Sequence, residues 1–377
     1  MNFDLSDEQK MLAEQARNLL TARSTPDRLR SLINAGAEWD EPLWREIADM
    51  GFLGASISEE HGGLGMTELD LGVINEEMGR ANVALPFFSS IVLAADAIQL
   101  AGSEVQKAAW LPKLASGAVI ATFAYAEGSG GWTGAALQTR YEDGRISGTK
   151  TPVADAGVAA LAVVLVTHGG QPALALVELD QPDVMRTKLD SFDQLRAHHA
   201  VTFDGAPAEL LDGPGAARAI ERLFDRAAVQ AAFEAVGGAE ACLIMARDYA
   251  MERQIFGRAL ASYQAIKHKL ADILVGVELA RSNAYYAAWM AENAADDLPL
   301  AASAARLSAI GAFENAAREN IQVHGGIGYT FEANCHFYYR RERTLALSLG
   351  GREPWANRLI AHIPGTQAHD IPQAEAA

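Results

Sequence analysis

The sequence predicts a mostly α-helical protein with a β-domain set into its middle, and three observations carry that expectation. Apolar residues recur at helical spacing through residues 1–118. From about residue 119 to 210 the period shortens and glycine turn signals set in. After residue 216 long amphipathic runs return, joined by short connections of the kind that make an antiparallel bundle.

The first helix opens at Ser6-Asp7-Glu8-Gln9, a cap followed by early acids, and Met11, Leu12, Ala16, Leu19 and Leu20 then share one face. A second covers residues 41–50, where Leu43, Ile47 and Met50 form a stripe that stops at Gly51. Gly62-Gly63-Leu64-Gly65 interrupts the pattern, a third helix runs over 69–80, and another ends before Ala115-Ser116-Gly117. Residues 119–124 read as a strand, and Tyr141-Glu142-Asp143-Gly144-Arg145 as a hairpin. Residues 161–167 and 173–179 read as two strands about His168-Gly169-Gly170, and 200–203 as a strand ending at Asp204-Gly205. Together these predict a compact antiparallel β-unit. Long helices are expected over 218–253, 263–293 and 299–324, with a frayed polar tail over 366–377. The expected domains are residues 1–118, 119–212 and 213–364, followed by a tail over 365–377.

Composition narrows the function. Half of the 377 residues are apolar, and 31 basic against 48 acidic residues leave a net charge of -17. That balance argues against nucleic acid as the main partner, because phosphate binding needs clustered Lys and Arg. Cys242 and Cys335 are the two cysteines, so no disulfide framework is expected. The opening residues lack the basic and apolar regions of a signal peptide, and the longest apolar run, 159–166, is too short to span a bilayer. A cytoplasmic protein without a membrane partner is the expectation.

Two segments carry chemistry. One is Met251-Glu252-Arg253-Gln254-Ile255-Phe256-Gly257-Arg258 with Tyr263-Gln264-Ala265-Ile266-Lys267-His268; the other is Gln322-Val323-His324-Gly325-Gly326-Ile327-Gly328-Tyr329-Thr330. An adenine dinucleotide needs a cation for its pyrophosphate, an apolar surface for its rings, and glycine where backbone must approach closely. Arg253, Phe256 with Gln264, and Gly325-Gly326 supply those three things. Taken singly, Arg253 also reads as a surface ion pair and the glycine pair as a helix stop.

With Gly51-Phe52-Leu53-Gly54, Glu59-Glu60-His61-Gly62-Gly63-Leu64-Gly65 and Glu76-Glu77-Met78-Gly79-Arg80 upstream, these segments resemble the acyl-CoA dehydrogenase family in order along nearly the whole chain. The resemblance implies a fold of N-terminal helix bundle, β-barrel and C-terminal four-helix bundle. It implies FAD as cofactor, an acyl-CoA thioester as substrate, an electron-transferring flavoprotein as acceptor, and a tetramer. It also implies that Arg253, Phe256, Gln264, Gln322, Gly325 and Gly326 hold the adenosine-diphosphate end of an FAD that sits mainly in the neighbouring subunit.

The catalytic half departs from that family. Where relatives carry Thr-Glu-Pro-Gly-x-Gly-Ser-Asp against the flavin, this chain reads Ala126-Glu127-Gly128-Ser129-Gly130-Gly131-Trp132-Thr133. Ala126 replaces the Thr, Trp132 replaces the Ser, and Ser129 would compensate only by shifting. The family's Trp-Ile-Thr corresponds to the segment Thr151-Pro152-Val153-Ala154-Asp155 after Gly148-Thr149-Lys150, which lacks the aromatic shield. Removing a substrate α-proton needs a carboxylate beside the thioester. The expected site before the last helix holds Gly350 or Gly351, and the alternative site on the long helix holds Ala227 and Ala228. Two carboxylates remain as candidate bases, Glu353, a short slip away, and Glu234, two turns beyond Ala227, and the third alternative is that this chain supplies no base. The competing readings are a solvated or capping charge for Glu353, and a buried ion pair with an Arg across the bundle for Glu234.

Other residues weigh less. His198-His199 has no ligand partners at metal spacing, and His268 reads as packing or capping. Gly237-Gly238, inside a long helix, points to a close helix or ligand approach. Tyr338-Tyr339-Arg340-Arg341 reads as a subunit contact, with polyanion binding second. Three functional readings stay open. The first is a subunit of a heteromeric dehydrogenase for a bulky acyl-CoA such as a steroid side chain, paired with a related chain. The others are a homotetramer with a relocated base and a non-catalytic structural subunit.

Overall fold

The computed structural model describes residues 4–128 and 137–363. Ser129, Gly130, Gly131, Trp132, Thr133 and the expected tail lie outside the described residues. The chain divides into two compact units, one of Asn18–Ile74 with Val83–Ala227, the other of Met1–Arg17, Asn75–Asn82 and Ala228–Ala377.

Eleven α-helices run in order among the described residues: α1 Asp7–Arg23, α2 Pro26–Ala35, α3 Glu41–Asp49, α4 Glu68–Arg80, α5 Asp96–Ala101, α6 Glu104–Ala115, α7 Ala216–Glu252, α8 Gln264–Asn293, α9 Leu298–His324, α10 Cys335–Leu347 and α11 Arg352–Ala361. Their starts follow local capping chemistry. Thr25 accepts a hydrogen bond from the Arg28 N–H ahead of Pro26, Asp40 caps α3, and Ser103 with Gln106 forms a capping box on α6. Helix α2, α10 and a π-helical stretch at Phe88–Ala95 add to the helices read from the sequence.

The first unit holds the sheet. Its strands are β1 Ala121–Ala124, β2 Arg140–Glu142, β3 Arg145–Ala154, β4 Leu161–His168, β5 Gln171–Glu178, β6 Val184–Leu189, β7 His198–Pro207 and β8 Glu209–Leu210. The order is β6-β7-β3-β2-β4-β5-β8, with β1 paired to β4. The two predicted hairpins form where Asp143-Gly144 and Gly169-Gly170 both take positive φ, the mirror turns that match strand twist.

The expected antiparallel unit requires correction, because the sheet is mixed. Ala121 to Ala124 lie parallel to Leu161 to Val164. A hairpin turn dictates direction only for the strands it joins, and β1 meets β4 through a long connection. Strand β7 also continues past Asp204-Gly205. Gly205, at φ 67, is absorbed as an irregularity where the β3 register shifts between Ile146 and Ser147. Strand β4 is buried from Leu161 to Val166, which explains its unbroken apolar run.

In the other unit, α7 is long and apolar enough to cross a membrane by composition, but 72% of that window is buried inside the protein. The Gly237-Gly238 pair answers a close helix approach. A Cβ on Gly237 would lie 1.8 Å from the Glu76 carbonyl oxygen, and one on Gly79 would lie 1.9 Å from that of Glu234. Backbone therefore packs on backbone, with a glycine of each helix against a glutamate carbonyl of the other. Beside this contact Arg80 pairs with Glu240 at 2.7 Å and Glu77 at 3.0 Å, and Arg281 with Glu76 at 3.0 Å. The Glu76-to-Arg80 motif thus serves an internal ion network.

Candidate cofactor-capping site

The site is built at one end of the unit that contains α8 and α9. Helix α7 stops at Glu252, and the chain turns through β9 Gln254–Ile255 and β10 Arg258–Ala259, an antiparallel pair. The tip is Phe256-Gly257, with φ of 47° and 78°, the same mirror turn as the other two hairpins. Asn, Asp or Gly favours such a position, and an aromatic residue there is strained by about 1–2 kcal/mol. Phe256 is 96% exposed, so its ring packs on almost nothing within the described residues.

The hairpin is braced despite its exposure. The Arg258 guanidinium sits 3.8 Å over the Tyr263 ring, and the Tyr263 hydroxyl donates to the Ile255 carbonyl at 3.2 Å. At its base Leu260 and Ile266 pack on Ala246, Ala250 and Val323. That cluster brings the hairpin, the first turn of α8 and the last turn of α9 together. Tyr249 stacks on His324 at 4.2 Å, and the His324 Nδ1–H donates to the Asn320 carbonyl at 2.8 Å. Burial pushes the His324 pKa down, so the imidazole stands neutral at neutral pH.

Arg253, Gln264 and Gln322 are exposed around this base. Gly325 and Gly326 follow in the turn Gly325–Tyr329, and a Cβ on either meets nothing within 4 Å. The result is an open ledge bearing a cation, an aromatic ring, two amides and bare backbone. Those are the groups that hold a pyrophosphate and a planar base. Arg258 and Tyr263 lie inside the segment read from the sequence, and the X-Gly pair at 256–257 is the hairpin signal that would have marked their bracing role.

The two candidate bases sit in contrasting places. Glu234 on α7 is buried and ion-pairs with the buried Arg341 of α10 at 3.2 Å. Glu353 is exposed in the first turn of α11. The loop before α11 is fixed by Leu349, left-handed at φ 59, whose carbonyl accepts from the Trp355 indole at 3.0 Å. Ala227 and Ala228 are fully buried. Of the four residues read as a subunit contact, two serve this chain's own fold: Arg341 faces Glu234 and the Tyr338 hydroxyl donates to the Arg80 carbonyl at 2.7 Å, while Tyr339 and Arg340 are half-buried.

In the sheet unit, Ala126 is buried and its carbonyl accepts from the Thr151 N–H at 2.8 Å. Beside it, Glu127 accepts from the buried Lys150 at 2.7 Å and from the N–H groups of Gln138 and Thr139. Burial opposes the charge on Glu127, but these donors outweigh it and hold the carboxylate down at about 2. The same burial pulls Lys150 below its ordinary value, with Glu127 working against the shift. The sequence reading passed over this pair.

Comparison with known proteins agrees with this architecture. The acyl-CoA dehydrogenase N-terminal domain matches residues 6–118 and the C-terminal domain residues 213–362. The acyl-CoA dehydrogenase IpdE2 of Mycobacterium tuberculosis is 30% identical over 95% of this chain and 98% of its own length. Among solved structures, a variant of the Tcur3481-Tcur3483 steroid ACAD superposes with a TM-score of 0.88 at 31% identity, covering 94% of this chain and 97% of that one. The ChsE4-ChsE5 complex from Mycobacterium tuberculosis gives 0.89 at 27%, covering 98% and 100%.

Proposed function

Since this chain belongs to the acyl-CoA dehydrogenase family, oxidoreductases that act on acyl-CoA, we propose that it is the capping subunit of a heteromeric FAD-dependent dehydrogenase for a bulky acyl-CoA. The observation that carries this reading is Phe256, a strained, 96% exposed ring held on a braced hairpin. A residue that strains its own fold and touches nothing in it acts on another molecule. Two similar solved structures are of paired proteins, ChsE4 with ChsE5 and Tcur3481 with Tcur3483, the latter described as a steroid ACAD.

In this reading Arg253 would hold the FAD pyrophosphate, Phe256 and Gln264 would cover the adenine, and Gln322 with Gly325-Gly326 would let backbone approach. A bound FAD would supply the acceptor for the hydride of the substrate β-carbon. The residues of this chain bind and orient its adenosine end and exclude water there. The α-proton leaves to a carboxylate of the related partner, because Glu234 is committed to Arg341. Electrons pass on to an electron-transferring flavoprotein, and the complex is a cytoplasmic tetramer.

A second reading makes the chain a homotetramer with Glu353 as base. Its favouring observation is that Glu353 is exposed in the first turn of α11, just after the loop where the resemblance expects a catalytic carboxylate. Flavin absorbance decides between them. Little flavin on the chain alone and about one per pair on co-expression with a related chain supports the heteromer. One flavin per chain purified alone refutes it.

A further inference from the structure

Glu59-Glu60-His61-Gly62-Gly63-Leu64-Gly65 takes no part in the capping site. In the sheet-bearing unit it opens with a short 3-10 turn, Glu59–His61, closed by Gly62 at φ 81. The loop is pinned along its length. The N–H groups of Gly63 and Gly65 donate to the carbonyls of Ser58 at 3.1 Å and Ile57 at 2.8 Å. A Cβ on Gly63 would stand 2.1 Å from that Ile57 oxygen, so only glycine fits there. The Ser58 N–H donates to Gln99 Oε1 at 3.2 Å. His61 is thereby carried inward to 7% exposure, with its Nδ1 2.8 Å from the Ser58 hydroxyl.

Helix α6 meets this histidine with a carboxylate. The Ser103–Gln106 capping box fixes the helix start and places Glu104 in its first turn. One ring nitrogen of His61 and one carboxylate oxygen from each of Glu60 and Glu104 lie within 4.8 Å of one another. Ligand atoms around a single zinc ion stand about 3.3 Å apart, so the set closes when the carboxylates move inward by up to about 1.5 Å. Both glutamate side chains are 73% exposed and turn freely, while the buried imidazole is already held.

The donor set selects the ion. Magnesium and calcium favour oxygen ligands alone, whereas an imidazole nitrogen beside carboxylates suits a borderline ion such as Zn2+. Two carboxylates balance its two charges. A serine hydroxyl against the ring is the kind of outer bond that orients a ligating histidine. Lys107, 2.9 Å from Glu104, is a built-in competitor for that carboxylate.

We propose that Glu60, His61 and Glu104 form a binding site for a divalent ion of the zinc class, which clips the 58–65 loop to the start of α6. The site uses none of the hairpin residues and stands whether or not the capping reading does.

The test is calorimetric titration of zinc chloride into the chelator-treated chain, or into its complex where a partner co-purifies. Glu60→Gln and Glu104→Gln change exposed side chains and keep the fold by circular dichroism, and each is expected to weaken binding at least about tenfold. His61→Asn is expected to remove the same site. Lys107→Met is expected to tighten it about threefold, because Glu104 is released from a competing cation. Surface histidines elsewhere bind zinc equally in wild type and variants, so the difference between them is what is read. Zinc at a hundred times its Kd is expected to raise Tm by about 4 °C in wild type and to leave the Glu60→Gln/Glu104→Gln double variant unmoved. Zinc binding that is unchanged in both glutamate variants overturns the site. Magnesium chloride binding as tightly as zinc removes any part for the imidazole and overturns the proposal as well.

Discussion

Replacing Glu234 with Gln separates a structural carboxylate from a catalytic one. The Glu234 and Arg341 side chains are 4% and 1% exposed and 3.2 Å apart. At that distance an effective dielectric of about 20 gives roughly 5 kcal/mol of gross attraction. Glu234→Gln keeps the shape but leaves the guanidinium buried without that charge, and removing one partner of such a pair costs about 3 kcal/mol. Spread over the unfolding entropy of a chain this long, that lowers Tm by about 4 °C. Arg341→Met is expected to cost a similar amount. The double variant Glu234→Gln/Arg341→Met should recover most of the loss, because no unpaired charge stays in the core. Calorimetry of the three variants, alongside turnover of the partner complex at saturating acyl-CoA, checks this. Abolished turnover in Glu234→Gln with Tm unchanged would falsify the structural assignment and make Glu234 the base.

Three further outcomes follow from the same geometry. Phe256→Gly relieves the left-handed strain and is expected to raise chain stability by about 1 kcal/mol, while flavin is lost faster from the complex during dialysis. Gly237→Ala drives a methyl group into the Glu76 carbonyl and is expected to cost more than about 3 kcal/mol or prevent folding; Gly326→Ala, with open space around it, leaves Tm within about 1 °C of wild type. The third concerns pH. Burial pushes Glu342 up to about 7, with Arg343 at 2.7 Å opposing it and Glu314 adding to it. Its folded carboxyl keeps a proton that the unfolded chain releases near 4.5, so stability contributed by the neutral acid is present below pH 4.5 and lost as pH rises through 7. Glu342→Gln is expected to be more stable than wild type at pH 8, by up to about 3 kcal/mol, and equal to it near pH 5; parallel pH–Tm curves would refute that.

What was legible in the sequence is what local chemistry decides. Asp143-Gly144 and Gly169-Gly170 announced their hairpins because two-residue mirror turns need those residues. The start of α1 was equally plain from the residues after Ser6. The parallel pairing of Ala121–Ala124 with β4 was not, because it joins strands distant in sequence and no turn residue reports it. Helix α10 stayed hidden for a related reason. Its Tyr338 and Arg341 are polar, yet Arg80 and Glu234, far away in the chain, receive them inside the fold. At the candidate site, Arg253, Phe256 and the glycine pair could be read as a motif. That Arg258 and Tyr263 brace the hairpin depends on a ring and a guanidinium meeting in space.

The position of Phe256 bears on how this protein could be engineered. A selection that scores the isolated chain for heat resistance rewards any residue at 256 that tolerates a left-handed backbone, and so replaces the ring with glycine or asparagine early. The survivors would be hardier and well folded, yet poor companions. Thermostable versions of this chain should therefore be sought only from libraries screened as assembled complexes.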